Sequence, residues 1–199
     1  MKRLINTLVF VTLILINTNG FSYNSDPKTF IDELVNDAIA TLGDKNISIE
    51  DKNRKIETIA LQNVDVEALG MYTLGEFRKT LDQATLKTYK DLFEKYFLKS
   101  LTSRLTDYSS QKLEVLGAEQ KSEIYTIVSS KIAENSSGPE IKIDWRVYTK
   151  NPDKPLIRDL IVEGLSLAKT QKEEFSSILN SNNKDINFLF SKLEEFIKK

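Results

Sequence analysis

The chain has 199 residues, with 28 basic and 29 acidic side chains and a net charge of −1. That length suits one domain of ordinary size, and the balanced charge, with no basic stripe carrying interleaved aromatics, argues against a nucleic-acid partner. There is no cysteine and no histidine, which removes disulfide staples, a Cys nucleophile, a Ser-His-Asp triad and the commonest zinc ligand.

In chain order, Met1-Lys2-Arg3 is a short basic start, and Leu4 to Ile16 is almost wholly apolar. Asn17-Thr18-Asn19-Gly20 follows. This is the order of a secretory signal, and the apolar run is short for a membrane span. Residues 1–20 are expected to be removed, with cleavage after about residue 20 to 23; the alternative is an uncleaved anchor. Removal takes two basic residues and no acids from −1, leaving −3.

Asp26-Pro27 reads as an N-cap with proline in the first turn. The helix it opens carries Phe30, Ile31, Leu34, Val35, Ala38, Ile39 and Leu42 on one broad face and ends at Gly43. Ser48 with Asp51 three residues on predicts the start of a second helix. Asp65 caps a short segment, Val66 to Leu74, interrupted by Gly70 and closed by Gly75. Thr80 to Leu105 is the longest helical signal, with Leu86, Phe93, Phe97 and Leu101 on its stripe.

After Asp107 the period becomes two. Strands are predicted around Leu113–Val115, Ile124–Ser130, Ile141–Val147 and Leu156–Val162. In the third, Ile141, Ile143, Trp145 and Val147 share one face while Lys142, Asp144, Arg146 and Tyr148 share the other. Ser166 to Leu179 and Asp185 to Ile197 read as closing helices. Helices, then a four-stranded antiparallel meander, then helices argue an α+β domain over residues 26–197 with about six to seven helices.

Chemistry is sparse along this chain. No P-loop or dinucleotide fingerprint occurs, and the carboxylates lack metal-loop spacing, so no metal site, cofactor or catalytic residue is assigned. Asp159 and Glu163, around the end of an apolar strand, are the carboxylates best placed for acid/base work, with a structural role at the strand-to-helix handover as the alternative. What stands out is apolar density, in Val64, Leu69, Met71, Tyr72, Leu74 and Phe77, in Phe93, Phe97 and Leu101, and on the strand face of Ile143, Trp145 and Val147. A packed core and a greasy cavity use the same residue types, so the pattern leaves both open. Gly70 and Gly75 would let the backbone bend around a ligand, or serve packing and capping.

FIDELVNDAIATL, VDVEALGMYTLGEFRK, YKDLFEKYFLKSLTSRLTDYSSQKLEVLGA and RDLIVEGLSLAKTQKEEFSSIL, in this order, resemble the MlaC family of periplasmic phospholipid-binding, toluene-tolerance (Ttg2-type) proteins. Its most specific parts are Leu74-Gly75, Leu105 to Tyr108 with Ser109, and Glu163-Gly164-Leu165-Ser166. The chain departs from the family at Lys154-Pro155-Leu156, where a tryptophan is usual, and at Glu76-Phe77, where a Tyr-Trp pair is. The resemblance implies an NTF2-like cavity between helices and a curved sheet, holding a glycerophospholipid as cargo. It implies a periplasmic shuttle between an outer-membrane lipoprotein–porin complex and an inner-membrane ABC transporter with an MCE-domain ring, with a role in outer-membrane lipid asymmetry. The expected lining is Val64, Leu69, Met71, Tyr72, Leu74, Phe77, Phe93, Phe97, Leu101, Val128, Ile143, Trp145, Val147, Leu160, Val162 and Leu165, in a monomer. Arg104, Arg146 and Arg158 are candidates to meet a phosphate. The rival readings are a periplasmic protein-interaction module with a solid core, and a carboxylate-based hydrolase.

Overall fold

A computed structural model describes residues 23–105, 112–133 and 140–199. Residues 1–20, the expected signal sequence, the 106–109 part of the Leu105–Ser109 motif and the turn expected at 135–139 lie outside the described residues.

Local capping chemistry sets the helix starts. The Asp26 carboxylate accepts the Thr29 N–H at 2.9 Å and opens α1 (Pro27–Gly43). Ser48 Oγ accepts the Asp51 N–H at 3.1 Å and opens α2 (Ile49–Asn63). Asp65 accepts the Ala68 N–H at 3.1 Å at the head of α3 (Val66–Thr73). These side chains satisfy amides that a helix start leaves without intrahelical partners. A 3-10 segment (Gly75–Thr80) leads into α4 (Gln83–Leu105), and Asp82 accepts the Thr85 N–H at 2.7 Å just ahead of it.

The strands are β1 (Lys112–Ser122), β2 (Tyr125–Ala133), β3 (Glu140–Tyr148), β4 (Leu156–Val162) and β5 (Leu165–Ser166), followed by α5 (Leu167–Ser181) and α6 (Ile186–Ile197). They form one antiparallel sheet in the order β1-β2-β3-β4-β5. The sheet is thus five-stranded, not four. The fifth strand has two residues, joined to β4 by Glu163-Gly164, both at positive φ (49° and 81°). Two residues carry no readable period, and the predicted helix begins at the second of them, Ser166. Register breaks in β1/β2 and β3/β4 bend the sheet. Among the described residues no helix is long and apolar enough to cross a membrane.

Two apolar cores hold the molecule. The first joins Phe30, Ile31, Leu34 and Val35 of α1 and Ile56 and Ile59 of α2 to Val128, Val147 and Ile157 of the sheet. The second lies among α3, α4, α5 and α6, where Val66, Leu74, Tyr89, Phe93, Phe175, Leu179, Leu189 and Leu193 are buried. Val64, at the α2–α3 junction, packs against both and bridges to Ile157 of β4.

Candidate functional site

The sheet presents two different faces because side chains alternate along each strand. On the first, Val128 lies opposite Trp145, Trp145 opposite Leu160 and Ile143 opposite Val162. Helix α1 packs over β1 and β2 on this face, and Val128 and Val147 are completely buried there. The cover does not extend across the whole face. Ile141, Ile143, Trp145, Leu160 and Val162 are only half-buried, and Leu165, paired with Val162, is 69% exposed. Contiguous apolar surface left part-open in this way marks a binding surface more often than an accident. Trp145 is held in place by its indole N–H, which donates to Ser130 Oγ at 2.9 Å; that hydroxyl donates to the Ile143 carbonyl at 2.9 Å.

The residues expected to line a cavity therefore divide. Leu74, Phe93, Val128 and Val147 are buried inside the two cores. Ile143, Trp145, Leu160, Val162 and Leu165 share the part-open sheet face. Leu101 and Trp145 border the first core, Leu69, Phe77 and Phe97 the second, and Val64 both; Met71 is half-buried. Tyr72 is exposed, with the Lys172 ammonium 5.2 Å from its ring centroid.

The opposite face holds a cavity of about 760 Å³. Leu69 and Tyr72 of α3 and Ala168 of α5 form one wall, and Ile127, Ser129, Asp144, Arg146 and Ile161 of the sheet form the other. Of the expected lining only Leu69 and Tyr72 border it. Asp144 and Arg146 belong to the second strand face that the sequence pattern set apart from Ile143, Trp145 and Val147. Arg158, at its edge, is locked: Nε and Nη2 donate to Asp65 at 2.8 and 2.7 Å, Nη1 donates to the Tyr125 hydroxyl at 3.0 Å, and the guanidinium stacks 3.4 Å from the Tyr148 centroid. Burial works against its charge, but these partners outweigh that and raise its pKa. The bulge between Arg146 and Val147 leaves Arg158 as the extra residue of β4, a displacement that no sequence period announces. Among the described residues Arg146 has one loose ion pair, 3.5 Å to Asp159. The Arg104 side chain lies outside those described.

Asp159 is 3% exposed. It accepts the Ser166 hydroxyl at 2.6 Å and the Ala168 N–H at 3.0 Å. Glu163 accepts the Lys142 N–H and returns its own N–H to the Lys142 carbonyl at 3.0 Å. Asp159 thus holds β4 to the start of α5, and Glu163 ties the β4–β5 turn to β3. Among the described residues, no three metal-ligating side chains come together.

A sequence model of the MlaC protein family matches residues 32–195. The chain belongs to the MlaC family. Among solved structures, this MlaC chain resembles the phospholipid-binding protein from Ralstonia solanacearum, determined in complex with a phospholipid. The TM-score is 0.71 at 18% identity, covering 84% of this chain and 94% of that one; at such identity the likeness is one of fold. A comparison with curated proteins gave no match. The α+β architecture of this MlaC member, with seven helices counting the 3-10 segment and a curved antiparallel sheet among the described residues, agrees with the fold that the sequence resemblance implies.

Proposed function

We propose that this MlaC protein is a periplasmic carrier of glycerophospholipid, exported by residues 1–20 and acting as a monomer. The observation that carries this reading is the part-open apolar face of β3 and β4, with Ile143, Trp145, Leu160 and Val162 half-buried and Leu165 exposed. Family membership and the phospholipid held by the Ralstonia solanacearum protein of the same fold support it. Acyl chains would lie on that face, against the borders of the two cores at Val64, Phe97 and Leu101.

The energetics favour such shielding. Each buried methylene contributes about 0.8 kcal/mol, so a chain of about fifteen contributes roughly 12 kcal/mol. A lipid crossing an aqueous gap therefore needs a protein surface to replace water along its tails. The partners this reading supplies are an inner-membrane ABC transporter with an MCE-domain ring and an outer-membrane lipoprotein–porin complex, a pair suited to maintaining lipid asymmetry. Binding and release serve the role without bond-making chemistry.

Native mass spectrometry of the exported protein tests the proposal. The expected result is about one phospholipid per chain, lost in Ile143→Asp and in Leu165→Glu while the circular dichroism of both stays native. Leu165 is exposed, so its substitution leaves the cores intact. A folded wild-type protein that carries no lipid, or variants that keep their load, would overturn it.

A further inference from the structure

The cavity on the other face of the sheet is not accounted for by acyl-chain binding. Its walls combine apolar side chains, among them Leu69, Tyr72, Ile127 and Ile161, with charged ones; Glu119 and Lys121 pair with each other at 2.6 Å and Arg158 is committed to Asp65 and Tyr125, which leaves two of opposite sign, Asp144 and Arg146. Neither charge is fully used by the fold. Among the described residues the Asp144 carboxylate makes no hydrogen bond or ion pair, although the residue is half-buried. Among the described residues Arg146 reaches only Asp159, at 3.5 Å, and that carboxylate is already committed to Ser166 and Ala168. The neighbouring Arg158 differs, because Asp65 and Tyr125 occupy its donors. A half-buried carboxylate and a guanidinium fork that keep unused capacity are a receptor for complementary charges.

The geometry points to a second ligand site here, selective for a zwitterion with separated charges: a phosphoethanolamine group, its phosphate on Arg146 and its ammonium on Asp144. Two residues along one strand place their Cα atoms about 6.6 Å apart. Side chains rooted at that spacing on one face can hold both charges of a ligand whose ammonium and phosphate are joined by a short link. The volume of about 760 Å³ leaves room beside the headgroup for apolar bulk against Ile127 and Ile161. This site does not rest on the proposed carrier role, since it lies on the opposite side of the sheet from Ile143 and Val162.

The test is a titration of the purified protein, with any lipid that it carries left in place, followed by methyl NMR of Ile, Leu and Val. The probes are glycerophosphoethanolamine, lysophosphatidylethanolamine below its micelle concentration, and lysophosphatidylglycerol as the counterpart lacking an ammonium. Saturable shifts at Ile127 and Ile161, with Ile143 and Val162 unmoved, are expected for the ethanolamine probes. Response to the first two marks the headgroup as sufficient; response to the lysolipid alone marks an amphiphile as the ligand. Asp144→Asn, with Asp144→Ser as its second version, should reduce the preference for ethanolamine over glycerol about tenfold or more, and Arg146→Gln should weaken both lysolipids by a similar factor, as loss of a charged hydrogen bond requires. Absence of saturable shifts at Ile127 and Ile161, shifts confined to Ile143 and Val162, or variants that bind like the wild type would each overturn the site.

Discussion

Gly70 lies inside α3, where a Cβ would stand 2.8 Å from Cδ1 of Phe93. Its task is close approach of α3 to α4, which is the packing alternative the sequence allowed, and not a bend around a ligand. Phe93 is enclosed, meeting Phe175 edge-on with ring centroids 6.4 Å apart, so it has little freedom to retreat. Gly70→Ala gains about 1 kcal/mol of helix propensity against overpacking strain of about 1–3 kcal/mol. The enclosed ring favours the upper end, so a net loss of about 1–2 kcal/mol is expected in urea unfolding. Gly75 differs, needing its own φ of +56°. Asp26 adds a pH-dependent contribution. Backbone and hydroxyl hydrogen bonds from Thr29 hold its carboxyl below the ordinary 3.8. A group whose pKa is lowered by folding stabilises above its unfolded value, and that stabilisation is lost as pH falls through the folded one. Asp26→Ala should therefore cost about 1 kcal/mol at neutral pH, with the gap to wild type closing below pH 3.8; unfolding measured at several pH values checks this.

At the scale of elements, the junction of β4, β5 and α5 depends on one buried carboxylate. Replacing Asp159 by alanine leaves the Ala168 amide and the Ser166 hydroxyl without their acceptor, at a cost of about 1–3 kcal/mol for a buried unsatisfied group. Asp159→Ala should lose about that much in chemical denaturation and expose the first turn of α5 to hydrogen exchange. Asp159→Asn keeps an acceptor and should lose less. The helices of this molecule were largely legible because their signals are local: Asp26 with Pro27, Ser48 with Asp51, and Asp65 each mark a start by chemistry confined to one turn. Alternation marked β2 and β3 but only the Leu113–Val115 part of β1 (Lys112–Ser122), while β4 was placed over its observed span. What lay beyond reach was relational. Alternation separates Ile143 and Trp145 from Asp144 and Arg146 without saying which side a helix covers, or how far. It took the packing of α1 over β1 and β2 to show that Val128 and Val147 are core while Ile143 and Val162 stay part-open. The cavity behind Asp144 and Arg146 was invisible for the same reason, since charged alternates on a half-buried strand ordinarily face water.

The whole molecule consists of two cores that meet at Val64, with apolar surface left open on the sheet beside the first. Such an arrangement ties stability to cargo. Anything that binds the folded state alone stabilises it by mass action, by about 2.7 kcal/mol when its concentration is a hundredfold above Kd. If acyl chains complete the face of Ile143, Trp145, Leu160 and Val162, lipid-free protein must either expose that surface or close over it imperfectly. Gentle delipidation should then lower the unfolding midpoint, and adding phospholipid back should raise it in proportion to the logarithm of lipid concentration. The Ile143→Asp variant should show neither response. A molecule with a completed interior would unfold at one temperature whatever lipid is present, and scanning calorimetry of the loaded, stripped and reloaded protein separates the two cases. The dependence on lipid concentration is the discriminating feature, because damage done during stripping would lower the midpoint without restoring it on reloading.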